Sequence, residues 1–297
     1  MISEFLKQKL ITQYGDDLTA DILNSYQEYR LVSLRINTLK TTKEEVLNEL
    51  TKNNISYSEV SWSLNALTIP NNTEEDLKKL SIYKEGSIYL QSLSSQLPPL
   101  FLNPQANELI LDMTAAPGGK TTEIAALANN QAMITAIEKN KIRSERLQYN
   151  INKLGAKKIT ILNTDARHLD EYFIFDKILL DAPCSGSGTL NPHTINNFTE
   201  ELFNRSLKYQ KSLLDEAIKH LKVGGEIIYS TCSILKEENE QNIINLLKEN
   251  PNLKIIPLDL SQYQDLPLLP TTINGCLCLK PTKYYEGFFI CKLKKIN

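Results

Sequence analysis

The sequence predicts a doubly wound α/β domain preceded by a small α+β domain. Three observations carry that expectation. From about Asn107 to Leu247, short apolar runs alternate with helical patterns, which means parallel strands joined by crossover helices. A run of small residues, Thr114 to Gly119, lies where the first of those strands gives way to a helix. The first hundred residues follow a different order, βαβα.

The chain opens on Met1-Ile2-Ser3-Glu4-Phe5-Leu6-Lys7-Gln8-Lys9-Leu10. Apolar residues at helical spacing broken by charges make this an amphipathic helix rather than a signal peptide. A strand over 31–36 leads to a helix over 42–52 with Thr and Glu as caps. A strand over 64–69 precedes a helix opened by Thr73-Glu74-Glu75. The composition shifts near Pro98-Pro99, which sets the expected domains at 1–98 and 99–297. Beyond it, strands are expected over 108–113, 132–138, 158–163, 176–181 and 225–230. Helices are expected over 120–127, 141–154 and 199–221, with another over 236–249 halted by Pro251. The tail holds Pro257, Pro267, Pro270 and Pro281 before Gly287-Phe288-Phe289-Ile290-Cys291. It reads as a long connection and a closing antiparallel strand pair.

No apolar run is long enough to span a bilayer, so a cytoplasmic protein with no membrane partner is expected. Five cysteines, an odd count, fit reduced thiols. With no C-x-x-C spacing and three histidines, no metal site is expected. Cys276-Leu277-Cys278 reads as small apolar residues alternating in a strand. The net charge of -2 carries no global signature of nucleic-acid binding. Between Lys139 and Lys158, seven lysines and arginines, including Arg143, face Glu145 alone among acids. By itself that stretch reads as a solvated helix face.

Chemistry concentrates at the ends of the five expected strands. Gly119-Lys120-Thr121 imitates the end of a phosphate-binding loop, but Thr114 stands where that motif needs glycine, and Pro117 removes a backbone donor. A nucleoside cofactor without a phosphate to clamp fits better. Small residues let the backbone approach a ligand, and Glu138 closes the second strand, twenty positions after Gly118, where an acid hydrogen-bonds ribose hydroxyls. Asp165, after the third strand, reads equally as a further polar group on that edge or as a cap. Cys184, in Asp181-Ala182-Pro183-Cys184-Ser185-Gly186, and Cys232, in Tyr229-Ser230-Thr231-Cys232-Ser233, each follow a buried strand. Thiols placed there face the edge where open α/β sheets bind ligands.

These motifs resemble the Sun/Fmu-type (Nol/Nop/Sun) RNA 5-methylcytosine methyltransferases. The residues from Asp112 to Thr121 match motif I and Asp181 to Gly188 match motif IV. Ser230-Thr231-Cys232-Ser233 matches motif VI, Glu286-Gly287-Phe288-Phe289 the closing strand, and Arg35-Ile36-Asn37-Thr38 a short accessory-domain motif. The resemblance implies a class I methyltransferase Rossmann-like sheet with an RNA-recognition-like N-terminal domain. It implies S-adenosyl-L-methionine (S-adenosylmethionine) as cofactor, held by Thr114, Ala115, Ala116, Pro117, Gly118, Gly119, Lys120, Glu138, Arg143, Asp165 and Asp181. It implies Cys232 as nucleophile toward cytosine C6, Cys184 as the group that assists release, and Lys120 and Asp181 as holders of the base. It further implies action on ribosomal or transfer RNA, and a monomer is expected. Two departures stand out: Thr114 replaces the family's usual Cys, and Asn191-Pro192-His193-Thr194-Ile195-Asn196-Asn197 lacks the family's arginines. His193 reads as a loop residue. The rival reading is a catalytically idle RNA-binding or ribosome-assembly factor on the same fold.

Overall fold

A computed structural model describes residues 2–296. Its elements begin with α1 (Glu4–Ser25), β1 (Val32–Ile36), α2 (Lys43–Lys52), β2 (Ser58–Val60), β3 (Ser63–Ile69), α3 (Glu74–Lys79), α4 (Ser81–Lys84), β4 (Ile88–Leu90) and α5 (Leu93–Leu102). The alternating part follows: β5 (Leu109–Asp112), α6 (Gly119–Leu127), β6 (Met133–Ile137), α7 (Lys141–Leu154), β7 (Ile159–Leu162), β8 (Phe175–Asp181), α8 (Glu200–Lys219) and β9 (Leu221–Thr231). The chain closes with α9 (Glu240–Glu249), β10 (Leu253–Ile255), β11 (Leu268–Leu269), β12 (Leu277–Leu279) and β13 (Phe288–Lys295). Two compact units result: Leu31–Leu169 with Leu260–Asp265, and Met1–Arg30 with Asp170–Asp259 and Leu266–Asn297.

The unit that begins at Leu31 holds an antiparallel sheet in the order β4-β1-β3-β2. Its helices follow β1 and β3, the split βαβ arrangement of ferredoxin-like domains. Thr42 and Glu45 form a reciprocal capping box on α2, and Thr73 with Asp76 forms another on α3, so both expected helix starts hold. Leu34, Ile36, Val46, Leu50, Leu67, Ile69, Leu77 and Ile88 fill the core beneath this sheet. The βαβα order gains β2 and β4, three residues each, too short to show an alternating pattern. Pro98 and Pro99 lie buried inside α5. In the same unit β5, β6 and β7 run parallel, with α6 and α7 as crossovers.

The second unit orders its strands β11-β12-β13-β9-β8, with β10 on the far part of β13. β8 and β9 are parallel across the α8 crossover, and β13 closes antiparallel against β9 and β12. The α/β class and the antiparallel closing strands are therefore as the sequence predicts. Two boundaries are corrected. The helix expected over 199–221 stops at Lys219, because His220 turns to hydrogen-bond Phe173 O at 2.7 Å and Leu221 already pairs with Phe175. The helix expected from Lys236 starts at Glu240, because the side chains of Glu238 and Asn239 turn inward.

Contacts place α1 in this second unit. Gly15, at φ 76°, breaks the helical run. Tyr14 OH donates to Ile234 O at 2.5 Å and Tyr26 OH to Ser187 O at 2.6 Å. Among the described residues no helix is long and apolar enough to cross a membrane.

Gly188 and Gly287 meet backbone to backbone: Gly287 N–H donates to Gly188 O at 2.8 Å, and a Cβ on Gly188 would overlap the Gly287 carbonyl. Gly188→Ala is expected to lower stability by about 1–3 kcal/mol, the usual cost of overpacking, read from urea unfolding against wild type.

Candidate active site

Asp181 and Ser230 sit in register at the carboxyl ends of β8 and β9. Because the strands are parallel neighbours, the loops that leave them run side by side. That brings Cys184 Sγ to 3.0 Å from Cys232 Sγ, with both thiols free and half-buried. The hydrogen bond with Cys232 holds the Cys184 proton and pushes that thiol well above the ordinary cysteine range. Burial and the charges of Cys232 and Glu238 push the same way. Asp181 Oδ1 accepts a hydrogen bond from Ser230 Oγ at 2.8 Å.

Both thiol loops are pinned by polar side chains. Thr231 Oγ1 donates to Asn239 Oδ1 at 2.5 Å, and Asn239 Nδ2 donates to Ser233 O at 2.9 Å. Ser187 and Ser233 hydroxyls meet at 2.8 Å, and Gly188 N–H reaches Cys232 O at 3.0 Å. The Arg30 guanidinium donates to the carbonyls of Gly188, Thr189 and Leu190 at 3.0–3.1 Å. His193 stands on the surface with its ring 5.1 Å from that of Tyr29, a loop residue as expected.

The other unit holds the expected cofactor residues except Asp181, most of them on or beside the β5–α6 turn. Asp112, 1% exposed, accepts from Thr121 Oγ1 at 2.6 Å and from Thr114 N–H at 3.4 Å, tying strand end to helix start. Ala115 N–H bonds to Ile137 O at 2.9 Å. Gly118 caps α6 at φ 108°, a conformation glycine favours. Arg143 donates to Ala116 O at 2.7 Å and pairs with Glu138 Oε2 at 3.2 Å, so its guanidinium shapes the turn. Glu138 Oε1 accepts from Asn140 N–H at 2.8 Å. Asp165 caps the turn Ala166–His168, and its bonds to Arg167 hold its carboxyl far below the usual range. Lys120 Nζ donates to Ser95 Oγ at 2.8 Å.

One buried network went unread in the sequence. Arg35, 4% exposed in β1, donates to Gln91 Oε1 at 3.0 Å, to Thr122 Oγ1 at 3.2 Å and to Gly119 O at 3.3 Å. Gln91 passes the contact to Glu123 at 2.9 Å, and Arg35 pairs with Glu123 at 3.7 Å. Asn37 Nδ2 reaches the carbonyls of Gly86 and Leu154 at 2.7 and 2.8 Å. Arg35 and Asn37 of the short accessory motif therefore fasten the ferredoxin-like sheet to α6 and α7. The signal was a charged residue inside an apolar strand. Glu238 and Asn239 were also missed, because the pattern around them reads as helix.

Residues 99–294 match a family profile described as 16S rRNA methyltransferase RsmB/F. The chain belongs to this family. Residues 2–74 match the ferredoxin-like domain of RsmF/B-like methyltransferases, so the resemblance seen in the motifs holds. Ribosomal RNA small subunit methyltransferase F of Shewanella piezotolerans is 35% identical over 89% of this chain and 58% of its own length. The 25S rRNA (cytosine-C(5))-methyltransferase nop2 of Schizosaccharomyces pombe is 35% identical over 99% of this chain and 51% of its own. The chain thus spans little more than half the length of these RsmB/F relatives. A methyltransferase homolog protein from Pyrococcus horikoshii matches with TM-score 0.83 at 28% identity, covering 99% of this chain and 100% of its own. NSun6 from the same organism, solved with SFG, has the same fold, with TM-score 0.88, 24% identity and coverage of 99% and 98%.

Burial pushes the Glu123 carboxyl up to about 7, with Arg35 pulling it back. A carboxyl raised on folding contributes stability that is complete below its unfolded value of 4.5 and lost as pH rises through about 7. Glu123→Gln is expected to flatten the fall in stability between about pH 5 and 8, compared by urea melts at both ends.

Proposed function

We propose that the chain transfers a methyl group from S-adenosylmethionine to C5 of a cytosine in ribosomal or transfer RNA, by way of a temporary bond from Cys232 to C6. The observation that carries the reading is the pair of free thiols in contact, on the loops that leave two neighbouring parallel strands. The names of the RsmB/F relatives favour ribosomal RNA.

The β5–α6 turn suits the cofactor. Ala115, Ala116 and Gly118 offer close backbone approach, and the Glu138 carboxylate keeps acceptor sites beyond its bonds to Asn140 and Arg143. Thr114, Pro117, Gly119, Lys120 and Asp165 complete that set. When bound, S-adenosylmethionine supplies an electrophilic methyl group. Cytosine C5 is a poor nucleophile toward it, and the chain supplies the remedy. The Cys232 thiolate adds to C6, and the ring becomes an enamine whose C5 carbon attacks. Asp181, steadied by Ser230, stabilises the adduct through N3 and N4 of the base. A base then removes the C5 proton and the C6–S bond breaks. The Cys184 S–H, whose sulfur lies 3.0 Å from that of Cys232, hydrogen-bonds the departing thiolate.

The target base must be unstacked at a cost of about a few kcal/mol, least for a nucleotide in a loop. The cations between Lys139 and Lys158 are proposed phosphate contacts, whereas the C-terminal Lys292 and Lys294 pair with Glu226 and Lys295 donates to the Ile218 and Leu221 carbonyls. An idle RNA-binding factor would have no use for two free thiols held in contact.

Labelled methyl transfer to ribosomal and transfer RNA, mapped by bisulfite sequencing, tests the reading. Cys232→Ala is expected to lose transfer about a thousandfold or more, while Cys184→Ala accumulates a protein–RNA adduct that survives denaturation. An adduct from Cys232→Ala with none from Cys184→Ala would reverse the roles, and no methylated cytosine with wild type would sink the proposal.

A further inference from the structure

Glu238 is fully buried on the turn between Cys232 and α9, and no step of the proposed transfer uses it. Its Oε1 accepts from Ser185 N–H at 2.8 Å and from Gln210 Nε2 at 3.1 Å, and its Oε2 accepts from Ser185 Oγ at 2.5 Å. Ser185 follows Cys184, and Glu238 itself lies on the segment that leads from Cys232 to α9. One carboxylate therefore ties the segment that follows Cys232 to the loop that carries Cys184. The clasp is itself anchored: the Glu238 carbonyl accepts from Tyr229 OH at 2.6 Å and from Asn242 Nδ2 at 3.0 Å.

A side chain needed only to fill this space would be apolar, since burying a carboxylate among neutral partners costs several kcal/mol. Burial indeed pushes Glu238 up, against the pull of Ser185, Ser233 and Gln210. The titratable groups it faces are Cys184, on the loop after β8, and Tyr229, on β9. We propose that Glu238 is the positioning residue that sets Cys184 and Cys232 at their contact distance. Its bearing on catalysis rests on the assignment of both thiols to one reaction.

The test measures thiol proximity and turnover separately. Diamide takes the two thiol hydrogens and two electrons into its azo bond, leaving a hydrazine and a Cys184–Cys232 disulfide that peptide mass spectrometry identifies. Glu238→Gln keeps the volume but sets an amide N–H against donors that now meet a carboxylate, Ser185 and Gln210. It is expected to slow formation of this disulfide about tenfold and to lower kcat on the order of a hundredfold, with KM for RNA little changed. An unchanged thermal melt shows that the variant is folded. Should Glu238→Gln not fold, Glu238→Asp, one methylene shorter, takes its place with the same direction of effect. A folded variant with wild-type disulfide rate and kcat would overturn the proposal. If wild type transfers no methyl group, the disulfide rate still decides the positioning role, so the two failures are distinguishable.

Discussion

The contact between Cys184 and Cys232, 3.0 Å from sulfur to sulfur, is the constraint around which the thiol-bearing unit is arranged. Two thiols separated by nearly fifty residues meet only if their strands are adjacent, parallel and in register. The pairing of Asp181 with Ser230 supplies that condition. It is necessary and does not suffice, because each loop must also turn the same way. Gly188 lying against Gly287, Arg30 gathering three successive carbonyls and Asn239 holding the Thr231–Ser233 turn remove the remaining freedom. Many of these partners are polar and buried. Each of their hydrogen bonds must be made, or the unsatisfied group costs about 1–3 kcal/mol, so the loops have few alternative conformations.

A comparable device operates in the other unit. A single guanidinium, Arg35, leaves a strand of the ferredoxin-like sheet and reaches the Gly119 carbonyl and the Thr122 hydroxyl of α6. The pair it forms with Glu123 is buried on both sides, an arrangement that gains little net stability but penalises any shift of either partner. The ferredoxin-like sheet is thus fixed to the helix that follows the β5–α6 turn, and Asn37 adds an attachment to the end of α7.

The parallel strands, crossover helices and capped helix starts were legible because hydrophobic period and capping chemistry are local properties. The two thiols were legible as strand-end residues for the same reason. What the sequence withheld is non-local. The strands β2 and β4 are too short to carry a pattern and exist because β3 and β1 supply partners. The helix expected to run to Leu221 yields to strand pairing with Phe175, a tertiary contact that outweighs local preference. Glu238 and Asn239 look like the polar first turn of a helix, and their inward direction follows from the serines and the threonine they meet. Arg143 was legible only as one cation of a basic stretch, and its pairing with Glu138 and the Ala116 carbonyl depends on a strand and a turn distant in sequence. The contacts that place α1 with the thiol-bearing unit come from Tyr14 and Tyr26 hydroxyls, whose partners lie more than a hundred and fifty residues away in sequence.

In the proposed reaction it is Cys232, and not Cys184, that bonds to C6 of the base. An RNA carrying 5-fluorocytidine tests it most directly, because fluorine at C5 cannot leave as a proton does and the adduct is trapped after methyl transfer. Mass spectrometry of the digested complex is predicted to find the nucleotide on the peptide that contains Cys232, with Cys184 unmodified. A nucleotide on Cys184, or a wild-type enzyme that methylates cytosine yet traps no adduct, would contradict the account.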